Sequence, residues 1–271
     1  MREPETNPRT TASSSLEPSC TAQLRTRRVA LITGASGAIG AAIAEQLARR
    51  GDDVWLAYHR NGEKAERLAQ HLQATYETSA TALPLNLLDR PAMHQALARI
   101  LTAHGRLDIL IHCAGVTRDK LLIQTGASDF DDSLELHVTA LYRLLQACLP
   151  SMRAHHYGRI VALTSYAALH GRTGQSAYAA SKAALIGLVK AAALEEIAHG
   201  ITVNAVAPSV TASAMTDALT DSEQARLLHQ IPLGRMQTPA EAAALVEWLT
   251  SEPAGTVSGQ VLAADNRTHR W

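Results

Sequence analysis

Val29-Ala-Leu-Ile-Thr33-Gly-Ala-Ser-Gly-Ala-Ile-Gly40 joins a short apolar run to a glycine-rich turn. Beyond the turn, Ile39, Ile43 and Leu47 recur at helical spacing on an Ala-rich segment that stops at Gly51. A continuous apolar run suits a parallel strand covered on both faces. Apolar residues three and four apart suit a helix that lays one stripe on that strand. Glycines between the two permit a tight turn and bring backbone amides within reach of a phosphate. The turn alone is equally compatible with close strand–helix packing.

The alternation continues along the chain. Further strands are predicted over residues 54–58, 80–85, 107–113, 159–164, 201–207 and 260–264, and helices over 63–76, 91–103, 131–154, 176–198 and 239–250. Strand then helix with no long linker predicts an α/β fold, a single Rossmann-like doubly wound parallel sheet with helices on both faces, over residues 28–271. Residues 1–27, rich in Pro, Ser, Thr and Arg, show no apolar periodicity and are expected to form a disordered tail. They lack the apolar centre of a secretory signal, and Glu3, Glu5 and Glu17 argue against a transit peptide.

Composition narrows the function. The 271 residues hold 25 Lys+Arg against 25 Asp+Glu, so no basic footprint points to nucleic acid. At 46% apolar the chain is no disordered protein, yet no apolar run nears the roughly 18 residues of a membrane span. Three scattered cysteines, Cys20, Cys113 and Cys148, offer neither a disulfide framework nor a metal site, and a reducing, cytoplasmic setting is expected.

A second motif, Tyr178-Ala-Ala-Ser-Lys182, falls on a predicted helix. Spacing of i and i+4 puts phenol and ammonium on one helical face. An ammonium there is expected to lower the phenol pKa toward the range of useful acid–base chemistry. Ser165 ends the preceding predicted strand, and the carboxyl ends of parallel strands are where such sheets place active sites.

Taken together, the turn at 33–40, His112-Cys-Ala-Gly115, Ser165, Tyr178/Lys182 and Asn204-Ala-Val-Ala-Pro208 resemble the short-chain dehydrogenase/reductase family. Within it the chain looks most like 3-oxoacyl-[acyl-carrier-protein] reductases. The resemblance implies that Tyr178 gives a proton to a carbonyl oxygen, Ser165 orients that oxygen and Lys182 holds the nicotinamide ribose. It also implies cofactor contacts at Gly34, Ser36, Gly37, Ile39, His59, Arg60, Asn86, Leu87, Cys113, Gly115 and Thr211, besides Tyr178 and Lys182. At the end of the second strand Tyr58-His59-Arg60-Asn61 holds no acid, and Arg60 can pair with a 2′-phosphate, which favours NADPH/NADP over NAD.

Several positions depart from the family pattern. Ala38 and Ser209 replace glycines, and Asp265-Asn266-Arg267 replaces a strand-end DGG. His137 stands where relatives carry a catalytic Asn; if its ring lies in the proton relay its protonation gates turnover, and the alternative is a packed histidine with its nitrogens satisfied. Carrier-protein docking in relatives uses basic residues, and the aligned positions hold His156 and His199, with Arg153 and Arg159 nearby. Residues 210–231 resemble a lid over the substrate. The expected function is NADPH-dependent reduction of a 3-oxoacyl thioester carried by acyl carrier protein, in fatty-acid or polyketide-type synthesis. The alternatives are reduction of a free small-molecule ketone, or a non-catalytic nucleotide-binding relative. A homo-oligomer, dimer or tetramer, is expected through helices 131–154 and 176–198, with no nucleic acid and no membrane as partner.

Overall fold

Strand β1, Val29–Thr33, is buried along its whole length, as a strand covered on both faces must be. In this computed structural model, which describes residues 27–229 and 231–264, β1 joins β2 (Asp53–Tyr58), β3 (Ala80–Pro84), β4 (Ile109–His112), β5 (Gly158–Leu163), β6 (Ile201–Pro208) and β7 (Val261–Ala264). They form one parallel sheet in the order β3-β2-β1-β4-β5-β6-β7. The order in which successive strands are added reverses between β1 and β4, where Thr33 pairs in register with His112. That switch point opens a crevice at the carboxyl edge.

Period-two alternation sorts the strand residues onto two cores. Leu31, Leu110, Ile160 and Val203 face Leu141 and Leu144 of α5 (Ala140–Ala154) and Leu185 and Val189 of α7 (Ser176–Glu196). Ile32, Ile111 and Val161 face Ile43 and Leu47 of α1 (Ala38–Arg49) and Val246 of α10 (Pro239–Leu249). Helices α2 (Gly62–Tyr76) and α3 (Arg90–His104) complete the two layers.

Three features depart from the sequence reading. The helix expected over 131–154 begins earlier, as α4 (Ala127–Leu134), and passes through a π-helical segment, Glu135–Thr139, into α5. A π-turn widens the helix locally and re-aims the side chains inside it. His137 lies in that segment. The short helices α6 (Tyr166–His170), α8 (Ala214–Asp217) and α9 (Asp221–His229) were not foreseen; α8 and α9 fall within the expected lid. Finally, Ser176–His199 is long and apolar enough, at mean hydropathy 1.3, to cross a bilayer by length and composition. The expectation of no such run is corrected, although this helix buries Leu185, Val189 and Ala193 against the sheet. The expected tail, Arg27 apart, lies outside the described residues, as do Cys20 and residues 265–271.

Candidate active site

The turn after β1 is shaped by glycine. Gly34 has φ of +69°, and a Cβ there would meet the backbone of Ala114 at 2.9 Å. A Cβ on Gly40 would strike the Gly34 carbonyl, so only glycine lets α1 start this close beneath the turn. Gly37 caps α1 with no side-chain hydrogen bond, which leaves the first-turn amides as donors for an anion.

Two elements away, β5 delivers Ser165 to the same edge. Ser165 is the N-cap of α6, its hydroxyl accepting from the Ala167 amide at 3.2 Å. Helix α7 then presents Tyr178 and Lys182 one turn apart. Ser165, Tyr178, Lys182, Cys113, Gly115 and Thr211 line a single cleft of about 1590 Å³. Burial raises the Tyr178 phenol above its ordinary value, outweighing the neighbouring Ser165 hydroxyl, which favours phenolate. Lys182 is buried, donates to the Leu163 carbonyl at 2.7 Å, and is lowered by burial to about 8. The expected depression of the Tyr178 pKa by Lys182 is therefore not what this geometry gives. The ammonium lies 5.9 Å from the phenol ring centre, and the loss of water around both groups dominates. A neutral phenol is the proton-donating form that carbonyl reduction requires.

His137 joins this cluster from the π-segment. Its ring stands edge-on to Tyr178, centroids 5.5 Å apart. Nε2 accepts from the Val116 amide at 3.3 Å, and Nδ1 pairs with Ser181 Oγ at 2.8 Å. Ser181 in turn donates to the Tyr178 carbonyl, so the network places the imidazole proton on Nδ1. Both nitrogens are satisfied in the neutral form. Burial, then Lys182 and His112, lower the His137 pKa to about 2. These contacts favour the packed, satisfied histidine over the protonation switch, with a neutral ring beside the turn that carries Tyr178 and Lys182. Gly115 is part of the same fit: a Cβ there would lie 3.0 Å from His137 Nε2 and 3.4 Å from Lys182 Nζ.

A pH prediction follows from these groups. Reduction should fall as pH rises through about 8, where Lys182 loses its charge. No second limb should appear near 6.5, the ordinary histidine value. His137→Asn should keep that profile. A limb near 6.5 in the wild-type pH–rate curve, absent from the variant, would return His137 to a titrating role.

Comparison with known proteins fixes the family. The model of the short chain dehydrogenase family matches residues 28–224. The chain belongs to that family. It is 36% identical over 239 residues to the 3-oxoacyl-[acyl-carrier-protein] reductase FabG of Staphylococcus aureus, covering 88% of this chain and 97% of that protein. It is 39% identical over 236 residues to the FabG of Escherichia coli, covering 87% and 94%. Membership makes the chain an oxidoreductase that works with a nicotinamide cofactor.

The residues present fit such a cofactor. Gly34, Ser36 and Gly37 form the turn after β1, and Ile39 lies in the first turn of α1. His59 and Arg60 follow β2, both exposed; Asn86 and Leu87 follow β3; Cys113 and Gly115 follow β4; Thr211 follows β6. All lie at the carboxyl edge on either side of the switch point. Burial raises the Cys113 thiol to about 11, so it meets a ligand as a neutral group. Asn204 of the Asn-Ala-Val-Ala-Pro motif instead fastens β6 to the last strand region, donating to the Val257 carbonyl at 2.8 Å and accepting from the Gln260 amide at 3.0 Å.

The expected docking residues sit elsewhere. His156 and His199 precede β5 and β6 and so lie at the amino ends of strands whose carboxyl ends hold Ser165 and Pro208. Arg153 is held by both Glu196 oxygens at 2.8 and 2.6 Å. Arg159 is buried, donates to the Gly158 and Gly200 carbonyls and covers the Tyr157 ring. The sequence reading also missed Ser181, whose hydroxyl bridges His137 and Tyr178. Only its place one residue before Lys182 could have drawn notice.

Proposed function

We propose that this chain is an NADPH-dependent reductase of 3-oxoacyl thioesters, with the acyl group carried by acyl carrier protein. The observation that carries the reading is the convergence of Ser165, a protonated Tyr178 and Lys182 in one cleft at the switch point. A nicotinamide cofactor, held at the glycine turn after β1 and by Lys182, would supply hydride to the carbonyl carbon. The chain's own part is then to hold the carbonyl oxygen with the Ser165 hydroxyl and protonate it from Tyr178 Oη. Lys182 holds the nicotinamide ribose and keeps a positive charge near the phenol. His137, through Ser181, keeps that turn of α7 in place. Identity over nearly the whole length of two FabG proteins supports the thioester substrate.

NADPH is the preferred cofactor in this reading, because Arg60 is exposed at the end of β2 and makes no ion pair among the described residues. Arg60→Ala should weaken NADPH far more than NADH, by about 1.5–3 kcal/mol for a lost charge-assisted contact. Titration of both cofactors checks this; equal losses would remove Arg60 from phosphate recognition.

The placement of His156 and His199 at the far end of the sheet favours one second reading, a free small-molecule ketone that needs no docking protein. Following NADPH oxidation with an acetoacetyl thioester, with free ketones and with no substrate separates the two. It also tests the non-catalytic alternative, which the intact Ser165, Tyr178 and Lys182 disfavour.

Self-association is part of the proposal, on altered grounds. Of the apolar residues spread over more than one face of these two helices, Leu141, Leu144, Leu145, Leu185 and Val189 are buried in the chain's own core, while Leu149, Ile186 and Leu188 are only partly buried. The apolar groups left exposed on and just after these helices are Tyr142, Leu194 and Ile197, with Leu194 at 82%.

A further inference from the structure

Arg172 is a cation in the cleft whose guanidinium has no ion pair among the described residues. It lies on the loop between α6 and α7, exposed, and lines the same cleft as Ser165 and Tyr178. The loop is pinned on both sides of it. The Gly171 amide donates to the Ala167 carbonyl at 2.9 Å, the Gln175 amide to the Arg172 carbonyl at 3.1 Å, and the Lys120 amide to the Gly174 carbonyl at 2.8 Å. Gly171 and Gly174 hold φ of +71° and +80°, so the turn depends on glycine at both positions.

Most charged groups around Arg172 have other partners, while a second exposed cation, Arg226, lines the same cleft. Lys120 pairs with Asp129 at 2.7 Å and Arg118 with Asp132 at 2.8 Å. Asp119 accepts two bonds from Gln175, at 3.0 and 3.1 Å, and one from Thr117. Glu223, across the cleft on α9, accepts from the Thr220 amide and hydroxyl at 2.9 and 2.7 Å. The guanidinium of Arg172 makes no ion pair or hydrogen bond among the described residues. Its charge reaches Tyr178, where it favours phenolate. A planar fork of donors at the wall of a concave site is an arrangement that suits carboxylate or phosphate.

We propose that Arg172 determines substrate specificity by pairing with an anionic group, carboxylate or phosphate, that the substrate itself carries. The choice of substrates rests on the thioester-reductase reading. The group is distinct from any cofactor phosphate met by Arg60, which follows β2 on the other side of the switch point. Two sources fit the chemistry: a carboxylate ending the acyl chain, or a phosphate on the arm that bears the thioester.

The test compares kcat/KM for wild type and Arg172→Gln on two substrate pairs. One pair is a 3-oxoacyl N-acetylcysteamine thioester ending in methyl or in carboxylate. The other is the methyl-ended acyl group on pantetheine with or without its 4′-phosphate. Wild type should favour the anionic member of one pair by about tenfold or more, the scale of a charge-assisted contact. The pair that shows the preference identifies the source. Arg172→Gln should abolish it through KM and change kcat/KM of the neutral members far less, while Arg172→Lys should retain part of it as a point charge. No preference in wild type, or the same preference in Arg172→Gln, overturns the inference. Turnover of the neutral thioesters reports separately on the reductase reading. Calorimetric titration of the same compounds reads the anion contact without turnover, so the two can fail independently.

Discussion

Tyr178→Phe is expected to slow carbonyl reduction by at least about 10²–10⁴-fold, the span attributed to a positioned general acid. The substitution removes one oxygen and leaves the ring, so the edge-on contact with His137 survives. Cofactor affinity should stay close to that of wild type, because the turn at Gly34 and Gly37 and the β2 end are untouched. Stopped-flow measurement of the hydride-transfer step, alongside cofactor titration, separates chemistry from binding. Near-normal turnover with the best substrate would remove Tyr178 from the acid role. The raised phenol pKa makes the expectation sharper. A phenol that stays protonated well above neutrality can donate at every pH where Lys182 is charged, so the variant's deficit should not shrink toward low pH.

Ser165→Ala should cost roughly 10²–10³ in kcat, the scale seen when one donor to a developing oxyanion is removed. Here a second effect must be separated. Ser165 also caps α6 through the Ala167 amide, and an N-cap lost to Ala costs about 1 kcal/mol of stability. Ser165→Thr keeps both hydroxyl functions and serves as the control. If Ala and Thr lose activity alike, or if the Ala variant's loss merely tracks a lower Tm, the hydroxyl is a cap and not a carbonyl ligand. The pH limb near 8 should persist in Ser165→Ala, since it belongs to Lys182.

The first strand–turn–helix unit could be read without coordinates because its signals are local. Val29–Thr33 needed only a run of apolar residues, and the glycines of the turn were dictated by backbone conformation and close approach. Tyr178 and Lys182 were legible for the same reason: helical periodicity alone puts i and i+4 on one face. The position of Ser165 at a strand end also followed from pattern. These are short-range consequences of chain geometry, and sequence order carries them.

What sequence order does not carry is the sign and balance of effects between elements distant along the chain. That Tyr178 is raised and not lowered depends on how completely α6, α7 and the β4 loop shut out water around it. That His137 is a neutral brace depends on Ser181, 44 residues later, and on the Val116 amide reaching its two nitrogens through a π-turn. His156 and His199 lie at the wrong edge for the cleft because β5 and β6 run parallel, so residues preceding both strands share the end opposite Ser165. Residue types, periodicity and motif order thus gave the sheet, the glycine turn after β1 and the placement of Tyr178 and Lys182 on one helical face. Burial, ring protonation and the pairing of each charge were decided only by tertiary packing, because desolvation and Coulomb interactions depend on distance through space and not along the chain.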